Sequence, residues 1–342
     1  MSRGPTFVSV TGRRYQLVRR PVGLPVEADF EIVSVELGDP SPDEVLVQNV
    51  YFSVDPYHRE EMAELGGWEL HAPLEGRTIG RVIASGVDAV PIGELVVHRK
   101  AYSTHALVTD FRRIVVPDGV PISAYLGILG GTGLTAWVGL TTIGGLQAGE
   151  SVLITAAAGG VGTAAGHIAK ALGAAKVVGV TGSDDKAGRL LRGPFDEVVN
   201  YRTTDLYRAL TDRNIDLCLE DVGGDQFGAA IEAARDPGGR IAWVGAVGQY
   251  NDLAHPPPAP YNLFDIVGKQ LRVEGYLVKD HVDQRDDYEA FMVPLVQSGQ
   301  VPVEESVTLG FGHAIEALRS VLTGGNYGKQ LVHLVADRRC SR

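Results

Sequence analysis

The feature that most constrains the fold of this chain is a strand, a glycine-rich turn, a helix and a second strand that follow one another in residues 151–186. Residues 152–154 are a short apolar run typical of a buried parallel strand, and residues 163–172 are rich in alanine and have a helical periodicity. Residues 176–180 are a second apolar run of the same kind. The order of these segments predicts a dinucleotide-binding βαβ unit.

The turn between the first strand and the helix has the sequence AAAGGVG. A glycine there lets the backbone approach a pyrophosphate, and a glycine one turn later lets the helix pack closely against the strand. The unpaired N–H groups and the dipole at the start of the helix favour negative charge. Because Ala157 occupies the position of the first glycine in the usual fingerprint, the match is partial. We expect the phosphates to bind at Gly159, Gly160, Val161 and Gly162.

The end of the second strand determines which dinucleotide fits. NAD-binding units normally carry an Asp or Glu there to bind the adenosine ribose, whereas this strand continues into Thr-Gly-Ser at residues 181–183. Lys186 follows in the next turn and can pair with a 2′-phosphate, while Ser183 donates a hydrogen bond. This pattern favours NADP. The alternative is that Asp184 and Asp185 cap the next helix and Lys186 is a solvated charge.

Composition narrows the class of protein. The net charge of −11 gives no overall basic surface, so we expect no nucleic-acid partner. The two cysteines, Cys218 and Cys340, are too few for a disulfide framework or a four-cysteine zinc lobe, and we expect free thiols. Neither a run of roughly 18 apolar residues nor the apolar region of a signal peptide is present. The sequence therefore predicts a cytoplasmic protein with no membrane partner.

The organisation along the chain is asymmetric about the nucleotide unit. Short β-type runs broken by Gly and Pro predict a partly open β-barrel before about residue 120; they lie at 30–35, 44–52, 78–84 and 94–97. Alternating patterns then predict a six-stranded doubly wound sheet, with further strands at 198–200, 217–220, 240–245 and 270–275. The tail has a helix pattern at 313–322 and a strand pattern at 330–335. We expect one domain of residues 1–122 with 301–342 and another of residues 123–300.

Eight short motifs occur in an order that is specific when they are taken together, although most are weak singly. They are SVDPYHR at 53–59, GLTAW at 133–137, AAAGGVG at 156–162, GSDDK at 182–186, NYRT at 200–203, VGG at 222–224, GAVGQYN at 245–251 and GGNYGK at 324–329. On these motifs the chain resembles the zinc-independent medium-chain dehydrogenase/reductases. It is most similar to the branch of prostaglandin reductases, leukotriene B4 12-hydroxydehydrogenases and double-bond reductases. The resemblance covers nearly the whole chain.

The resemblance implies an α/β protein with a Rossmann doubly wound parallel sheet and a GroES-like, partly open β-barrel domain. It also implies a homodimer that uses NADPH to reduce the carbon–carbon double bond of a small hydrophobic α,β-unsaturated ketone or aldehyde. One alternative is an NADPH quinone oxidoreductase. Another is a specialised biosynthetic protein, cyclase-like or merely binding, on the same fold. That alternative stays open because Asp221 and His58 depart from the residues usual in relatives, and His58 would make the pocket edge more polar.

Metal catalysis is not expected from the residues. Ser53 stands where zinc-dependent relatives have a cysteine ligand, and the segment GRTIG at residues 76–80 lacks their His-Glu pair. A loose pair, His98 and His105, is the nearest approach to metal-ligand spacing, and we expect it to bind no metal. Hydride addition without a Lewis acid leaves an enolate that needs hydrogen-bond donors and then a proton.

The best candidate for that role is Tyr250, in the GAVGQYN motif. The resemblance implies that this tyrosine lies by the nicotinamide ribose and orients the substrate. A phenol with a pKa near 10 is protonated at neutral pH and can donate to an oxyanion. We therefore expect Tyr250 to act catalytically and to contact the cofactor. The alternative is a rim tyrosine that covers the cofactor, with the ribose hydroxyl or water as the proton donor.

The resemblance implies five further contacts. Tyr201 is expected near the adenosine 2′-phosphate and Asn326 near the cofactor; the alternatives are an ordinary strand-end aromatic and a turn residue. Asp221 replaces an asparagine on the nicotinamide side, and an ionised aspartate only accepts hydrogen bonds whereas asparagine also donates. Tyr57 and Tyr276 are expected to line the substrate pocket, and Tyr276 has a dimer edge as its alternative place.

Overall fold

A computed structural model describes residues 9–252 and 255–334, and these contain fifteen β-strands and nine α-helices. The strands are β1 Val10–Leu17, β2 Phe30–Leu37, β3 Val45–Ser53, β4 Thr78–Ser85, β5 Leu95–His98, β6 His105–Val108, β7 Phe111–Ile114, β8 Ser151–Ile154, β9 Lys176–Thr181, β10 Glu197–Asn200, β11 Leu217–Glu220, β12 Arg240–Trp243, β13 Arg272–Gly275, β14 Glu305–Leu309 and β15 Lys329–His333. The helices are α1 His58–Glu61, α2 Gly131–Val138, α3 Gly160–Ala171, α4 Asp184–Leu190, α5 Leu206–Leu210, α6 Gly224–Ala233, α7 Asp265–Gly268, α8 Arg285–Gln297 and α9 Ala314–Leu322.

These elements form two compact units. The antiparallel unit comprises the described residues of Met1–Leu126, Val307–Thr323 and Gln330–Arg342. The parallel unit comprises those of Gly127–Ser306 and Gly324–Lys329. Within the described residues, no helix is long and apolar enough to cross a membrane.

The antiparallel unit is built on a sheet of seven strands and a separate hairpin. The strands run in the order β14, β15, β3, β4, β5 and β7, with β6 also paired to β3, and β1 pairs with β2. Because this order has two ends, the described strands form no closed barrel, as the prediction of a partly open barrel requires. A core of buried aromatic and aliphatic side chains lies beneath the hairpin and includes Tyr15, Leu17, Phe52 and Tyr102.

The C-terminal segment belongs to this sheet. Strand β15 pairs antiparallel with β3, with Leu331 opposite Ser53. Helix α9 is strongly amphipathic and buries Ile315 and Leu318 in the same core as Tyr15. The predicted strand extended to Val335, which lies outside the described residues, as does Cys340.

The parallel unit contains the predicted six-stranded sheet. Its order is β10, β9, β8, β11, β12, β13, and every neighbouring pair is parallel. The chain runs outward from β8 on one side and from β11 on the other, so the topological switch point lies between these two strands. Ligands of doubly wound sheets bind at the carboxyl ends of the strands at that point.

The strand ends differ slightly from the predicted ones. Strand β12 ends at Trp243 instead of residue 245, because the N–H groups beyond Val244 bond to the loop after β11. Strand β13 begins at Arg272 instead of residue 270, since Gln270 has a φ of 51°, which no strand accommodates. Helix α3 begins at Gly160, three residues before the alanine-rich run, because the glycine turn itself supplies its first turn.

Candidate functional site

The glycine turn follows β8 and leads directly into α3. Gly159 is the N-cap of the helix, and its N–H donates to the carbonyl of Ala156 at 2.8 Å. A Cβ on Gly162 would lie 2.5 Å from the oxygen of Ala156 and 2.6 Å from Cα of Ala157. Only glycine therefore permits the helix to pack this closely against the turn.

Three of the four predicted phosphate-binding residues present N–H groups at the start of α3. Gly160, Val161 and Gly162 are its first residues, so their N–H groups have no acceptor within the helix. No side chain caps this end. Gly159 differs because its N–H is already used within the turn, so its role is limited to close approach. The helix start offers three donors and a positive dipole end to an anion.

Basic side chains gather at the carboxyl end of β9. The Ser183 hydroxyl caps α4 by accepting the N–H of Lys186 at 3.5 Å. The ammonium of Lys186 donates to the carbonyl of Gly324 at 2.6 Å, so this lysine is not a simple solvated charge. Burial, and then the charges of Arg202 and Arg189, lower the pKa of Lys186. Lys186, Arg189 and Arg202 therefore form a cationic cluster, and an anion between them would be stabilised.

Arg189 and Arg202 were not predicted as site residues, although the position of each in the sequence carries a hint. Arg189 lies three residues after Lys186, so one helical face carries both cations. Arg202 follows β10, which is the neighbour of β9 in the sheet. Predicting the cationic cluster therefore requires the strand order as well as the GSDDK motif.

Tyr201 covers the end of β9 from the neighbouring strand. A Cβ on Gly182 would lie 2.8 Å from Cζ and Oη of Tyr201, so glycine is required for the ring to lie there. The carboxylate of Asp184 accepts a hydrogen bond of 2.7 Å from the side-chain amide of Asn200. Asp184 therefore belongs to the first turn of α4, while Ser183 is the cap. The contact predicted for Tyr201 stays a prediction, and its position beside the cationic cluster agrees with it.

The loop at residues 324–329 packs against both the glycine turn and α4. The N–H of Gly328 donates to the carbonyl of Ala158 at 2.9 Å. Gly328 has a φ of +65°, and a Cβ there would lie 2.1 Å from the carbonyl oxygen of Glu304, so only glycine fits. The Arg189 guanidinium lies 3.5 Å from the centre of the Tyr327 ring. Asn326 donates its side-chain N–H to the carbonyl of Gly328 at 2.8 Å and thereby stabilises the loop.

Two adjacent carboxyl groups follow β11 at the switch point. Glu220 is fully buried and accepts hydrogen bonds from the Thr155 hydroxyl at 3.2 Å and from the N–H groups of Val222 and Gly223 at 3.0 Å. Burial raises the pKa of Glu220 despite these donors. Burial, and then the charge of Glu220, raise the pKa of Asp221. Two carboxyl groups so close do not both ionise readily, so we infer that Asp221 keeps its proton at neutral pH.

This protonation bears on the replacement of asparagine by aspartate. A protonated carboxyl has an O–H that donates as well as oxygens that accept. Asp221 therefore retains the hydrogen-bonding capacity that an ionised aspartate would lose. The loss of a hydrogen-bond donor suggested by the sequence therefore arises only above the raised pKa of Asp221.

Tyr250 lies in a loop that is attached to these carboxyl residues. Three backbone N–H groups of the loop donate to the carbonyls of Glu220, Asp221 and Val222; they belong to Val244 at 3.0 Å, Val247 at 3.1 Å and Gly248 at 3.0 Å. The Tyr250 hydroxyl oxygen accepts the N–H of Ala246 at 3.2 Å. Accepting this bond polarises the phenol O–H and strengthens it as a donor.

Tyr276 has a different environment from the one expected of a pocket residue. Its side chain is buried, and its hydroxyl donates to the carbonyl of Thr135 in α2 at 2.8 Å. A Cβ on Gly139 would lie 2.3 Å from this hydroxyl, so glycine makes room for it. Burial, and then the charge of Asp221, raise the pKa of Tyr276 well above 10. The Tyr276 hydroxyl is thus committed to α2, and only its ring remains for a ligand.

Tyr57, in the antiparallel unit, has a buried hydroxyl whose O–H finds no acceptor in residues 9–252 or 255–334. Its oxygen lies near the Arg99 guanidinium, and the charges of Arg77 and Arg99 lower the pKa in part. Burial, and then the charge of Asp55, outweigh them and raise the pKa of Tyr57, so the phenol is protonated. A buried donor without an acceptor costs roughly 1–3 kcal/mol. A ligand that supplied an acceptor would remove this cost.

His58 does not form a polar pocket edge. It is fully buried, and its Nδ1 lies 3.0 Å from the Tyr102 hydroxyl. Its ring packs edge-on against Tyr57 with centroids 4.6 Å apart. The prediction that His58 makes the pocket edge more polar is therefore wrong, because the imidazole points into the core and packs against the Tyr57 ring.

No group of three or more His, Cys, Asp or Glu side chains in the described part of the chain is arranged to hold a metal ion. His98 is buried, and its Nε2 lies 3.0 Å from Oδ1 of Asn49 while its Nδ1 accepts the N–H of Lys100. Burial and then the charge of Lys100 lower the pKa of His98 to about 3, so it is a neutral core histidine. His105 instead begins strand β6.

Comparison with known proteins identifies the class. The model of the N-terminal domain of oxidoreductases matches residues 13–115, and the model named zinc-binding dehydrogenase matches residues 160–298. Prostaglandin reductase 1 of Bos taurus is 35% identical over 332 residues, which cover 94% of this chain and 99% of that protein. The NADP(+)-dependent 2-alkenal reductase of Nicotiana tabacum is 32% identical over 338 residues, 94% of this chain and 97% of that protein.

Solved structures agree with this assignment. CurA from Vibrio vulnificus superimposes with a TM-score of 0.88 at 28% identity and covers 96% of this chain and 100% of its own. Its complex with NADPH has a TM-score of 0.87 at 27% identity and covers 95% and 100%. The fold and the site thus define a medium-chain dehydrogenase/reductase. Within that class, the chain belongs to the zinc-independent family that includes prostaglandin reductase 1 and the NADP-dependent 2-alkenal reductase.

Proposed function

We propose that this protein is an NADPH-dependent reductase of the carbon–carbon double bond of α,β-unsaturated ketones and aldehydes, acting by hydride transfer to the β-carbon without a metal. The observation that carries the proposal is its similarity, over 94% of its length, to proteins named prostaglandin reductase 1 and NADP(+)-dependent 2-alkenal reductase. Quinone oxidoreductase of Escherichia coli is 22% identical, which supports a common fold alone.

The residues of the parallel unit fit NADPH. A half-buried ammonium at Lys186, with two guanidinium groups near it and Asp184 held by Asn200, is suited to a dianionic 2′-phosphate. Ser183, Lys186 and Tyr201 would hold that phosphate. The glycine turn would hold the pyrophosphate, and Asn326 would line the same site. When bound, NADPH supplies the hydride.

On the nicotinamide side, the loop after β12 and the segment after β11 act together. Asp221 and Tyr250 follow adjacent strands of the sheet and are linked through loop hydrogen bonds. Protonated Asp221 would bind the carboxamide as both donor and acceptor. The Tyr250 hydroxyl, polarised by the Ala246 N–H, would orient the substrate carbonyl and stabilise the enolate oxygen. Tyr57 would donate to the substrate its buried O–H, which has no acceptor within the described residues, and the Tyr276 ring would line the pocket.

The test is loss of 340 nm absorbance from NADPH against alkenals, aryl enones and quinones, with the products identified by mass spectrometry and NADH measured in parallel. We expect saturated ketones or aldehydes, formed with NADPH in preference to NADH. Quinols as the main products would select the quinone reaction instead. Tight NADPH binding without oxidation by any acceptor would refute the reductase and favour a binding or cyclase-like role.

We also infer the domain roles and the assembly. The antiparallel unit would be the GroES-like domain, predicted as residues 1–122 and 301–342, and the parallel unit the NADP-binding domain, predicted as residues 123–300. The bounds differ from the prediction because residues 301–306 and 324–329 group with the parallel unit and residues 123–126 with the antiparallel one. A homodimer would form along edge strand β13, whose flanking residues Val267, Leu277 and Val282 are exposed apolar side chains. Light scattering should then give twice the 36.5 kDa chain mass. A monomer would refute this assembly. The cytoplasmic location stays a prediction.

A further inference from the structure

A cavity of about 160 Å³ lies in the antiparallel unit, between hairpin β1–β2 and the segments before and within β6. We call it the hairpin cavity. Its lining includes Arg14 from β1, Leu37 from β2, Leu74 from the loop before β4, and Lys100 and His105. None of these residues was assigned a role at the nucleotide or substrate site.

The hairpin cavity has room because Gly12 contributes no side chain to it. Gly12 and Arg14 are two residues apart and so lie on the same face of β1, and Val35 lies opposite Gly12 in the antiparallel register. A Cβ on Gly12 would lie 3.4 Å from Cβ of His105 and 3.5 Å from Cδ1 of Leu37, so this position faces the cavity wall. Any larger side chain at Gly12 would extend into the space.

The cationic side of the hairpin cavity is not neutralised. The Nε of Arg14 is buried, and it has no hydrogen-bond partner within the described residues. Across those same residues, neither Arg14 nor Lys100 forms an ion pair with a carboxylate, and both line the space. A buried guanidinium N–H without an acceptor is unfavourable, and a carboxylate is the group that best supplies two acceptors to it.

The carboxylates on the surrounding elements interact with other groups, so they do not neutralise the positive charge of Arg14 and Lys100. Glu31 on β2 accepts a hydrogen bond of 3.1 Å from Gln16, and Glu75 lies 3.6 Å from Nε of Arg99. Burial lowers the pKa of His105, whose Nδ1 lies 3.1 Å from the Thr104 hydroxyl, so it adds no charge at neutral pH.

Size and wall chemistry define the ligand. An apolar cavity of about 150 Å³ is known to hold benzene, so the hairpin cavity has room for one six-membered ring. Its walls at Val35, Leu37 and Leu74 are aliphatic. We propose that the hairpin cavity is a binding site for a small aromatic carboxylate of the size of benzoate, with the ring against these walls and the carboxylate on Arg14 and Lys100. This site is independent of the reductase proposal, since every residue involved lies in the antiparallel unit.

The test is calorimetric titration of the full chain with benzoate, at saturating NADPH so that the nucleotide site is filled. We expect one benzoate per chain, saturating below about 10 mM. Benzamide lacks the charge and acetate lacks the ring, so each should bind at least about tenfold more weakly. No saturable binding of benzoate would overturn the site. Acetate binding as tightly as benzoate would also overturn it, because a surface anion contact would then suffice.

Variants locate the binding. Arg14→Gln should weaken benzoate at least about tenfold, and Gly12→Val should abolish binding by filling the space. Arg81→Gln removes one exposed charge from β4, outside the cavity, and should change nothing. Arg14→Lys keeps the charge without the planar fork and should bind with intermediate affinity, which gives a second readout if the glutamine variant does not fold. Unchanged affinity in a folded Arg14→Gln or Arg14→Lys protein would refute the assignment.

Discussion

Replacing Lys186 by methionine removes the ammonium while keeping the length of the side chain. In the proposed site this ammonium donates to Gly324 and, with NADPH bound, to the 2′-phosphate. A hydrogen bond to a charged group contributes roughly 1.5–3 kcal/mol, and about 1.4 kcal/mol is tenfold in affinity. Because Arg189 and Arg202 remain nearby, we expect the lower end: the KM for NADPH rises about tenfold. The kcat should change less than about twofold, since the phosphate is remote from the reacting carbon.

The assay compares initial rates of enone reduction across NADPH and NADH concentrations. The KM for NADH should stay unchanged, because NADH has no 2′-phosphate. Lys279→Met removes an equal charge at an exposed position in the same unit and serves as the control. An unchanged KM for NADPH would refute the phosphate contact. An equal rise for both cofactors would mean that Lys186 acts only by holding the loop at residues 324–329.

Four further predictions follow from the described contacts. Tyr250→Phe should lower enone turnover at least about tenfold, roughly 1.4 kcal/mol of barrier. The control Tyr261→Phe alters an exposed ring and should not lower turnover. Equal rates in the two variants would mean that Tyr250 only covers the cofactor. Asp221→Asn should gain free energy of unfolding relative to the wild type as pH rises from about 4 toward the raised pKa of Asp221. The reason is that the native carboxyl holds a proton that the unfolded one has lost, so folding of the wild type becomes less favourable over this range. A difference in urea unfolding that did not vary with pH would contradict this. Gly162→Ala should cost about 1–3 kcal/mol of stability through overpacking, while Gly188→Ala in α4, where a Cβ meets only Arg192 at 3.9 Å, should stabilise; equal Tm shifts would refute the close approach. Tyr57→Phe should raise both the Tm of the ligand-free protein and the KM for the enone, since it removes a buried O–H that has no acceptor and that a substrate would satisfy. A lowered Tm would show that the contact of the hydroxyl with Arg99 outweighs this cost.

The parallel sheet was predictable because its central strands carry their own signal. Val152 to Ile154 and Leu217 to Leu219 are apolar on both faces, as strands covered on two sides must be. Strand β1 was not predicted, since Gly12, Arg13 and Arg14 interrupt its alternation and only Tyr15 and Leu17 enter the core. Its pairing with β2 depends on a partner about twenty residues away, which local pattern does not reveal.

The candidate site likewise has parts that the sequence predicts and parts that it does not. The glycine turn is contiguous, so its geometry could be read from seven letters of sequence. The cationic cluster joins α4 to the end of β10, and Arg202 becomes relevant only when the strand order is known. The missing acceptor for the Tyr57 O–H could not be predicted either, because lack of an acceptor depends on everything packed around a group.

The pair Glu220 and Asp221 gives a physical reason to expect that aspartate at position 221 would serve in the proposed nicotinamide contact. Asparagine at position 221 would be a neutral donor and acceptor at every pH, whereas aspartate is so only while protonated. The pKa of both carboxyls is raised, but that of Glu220 less so, to about 7 against about 8 for Asp221, because Thr155 and the N–H groups of Val222 and Gly223 donate to Glu220. The negative charge therefore forms first on Glu220, and Asp221, whose side chain accepts no hydrogen bond within the described residues, keeps its proton to higher pH. In the proposed site, the aspartate would therefore donate and accept as asparagine does at neutral pH and would lose the donor only above its raised pKa.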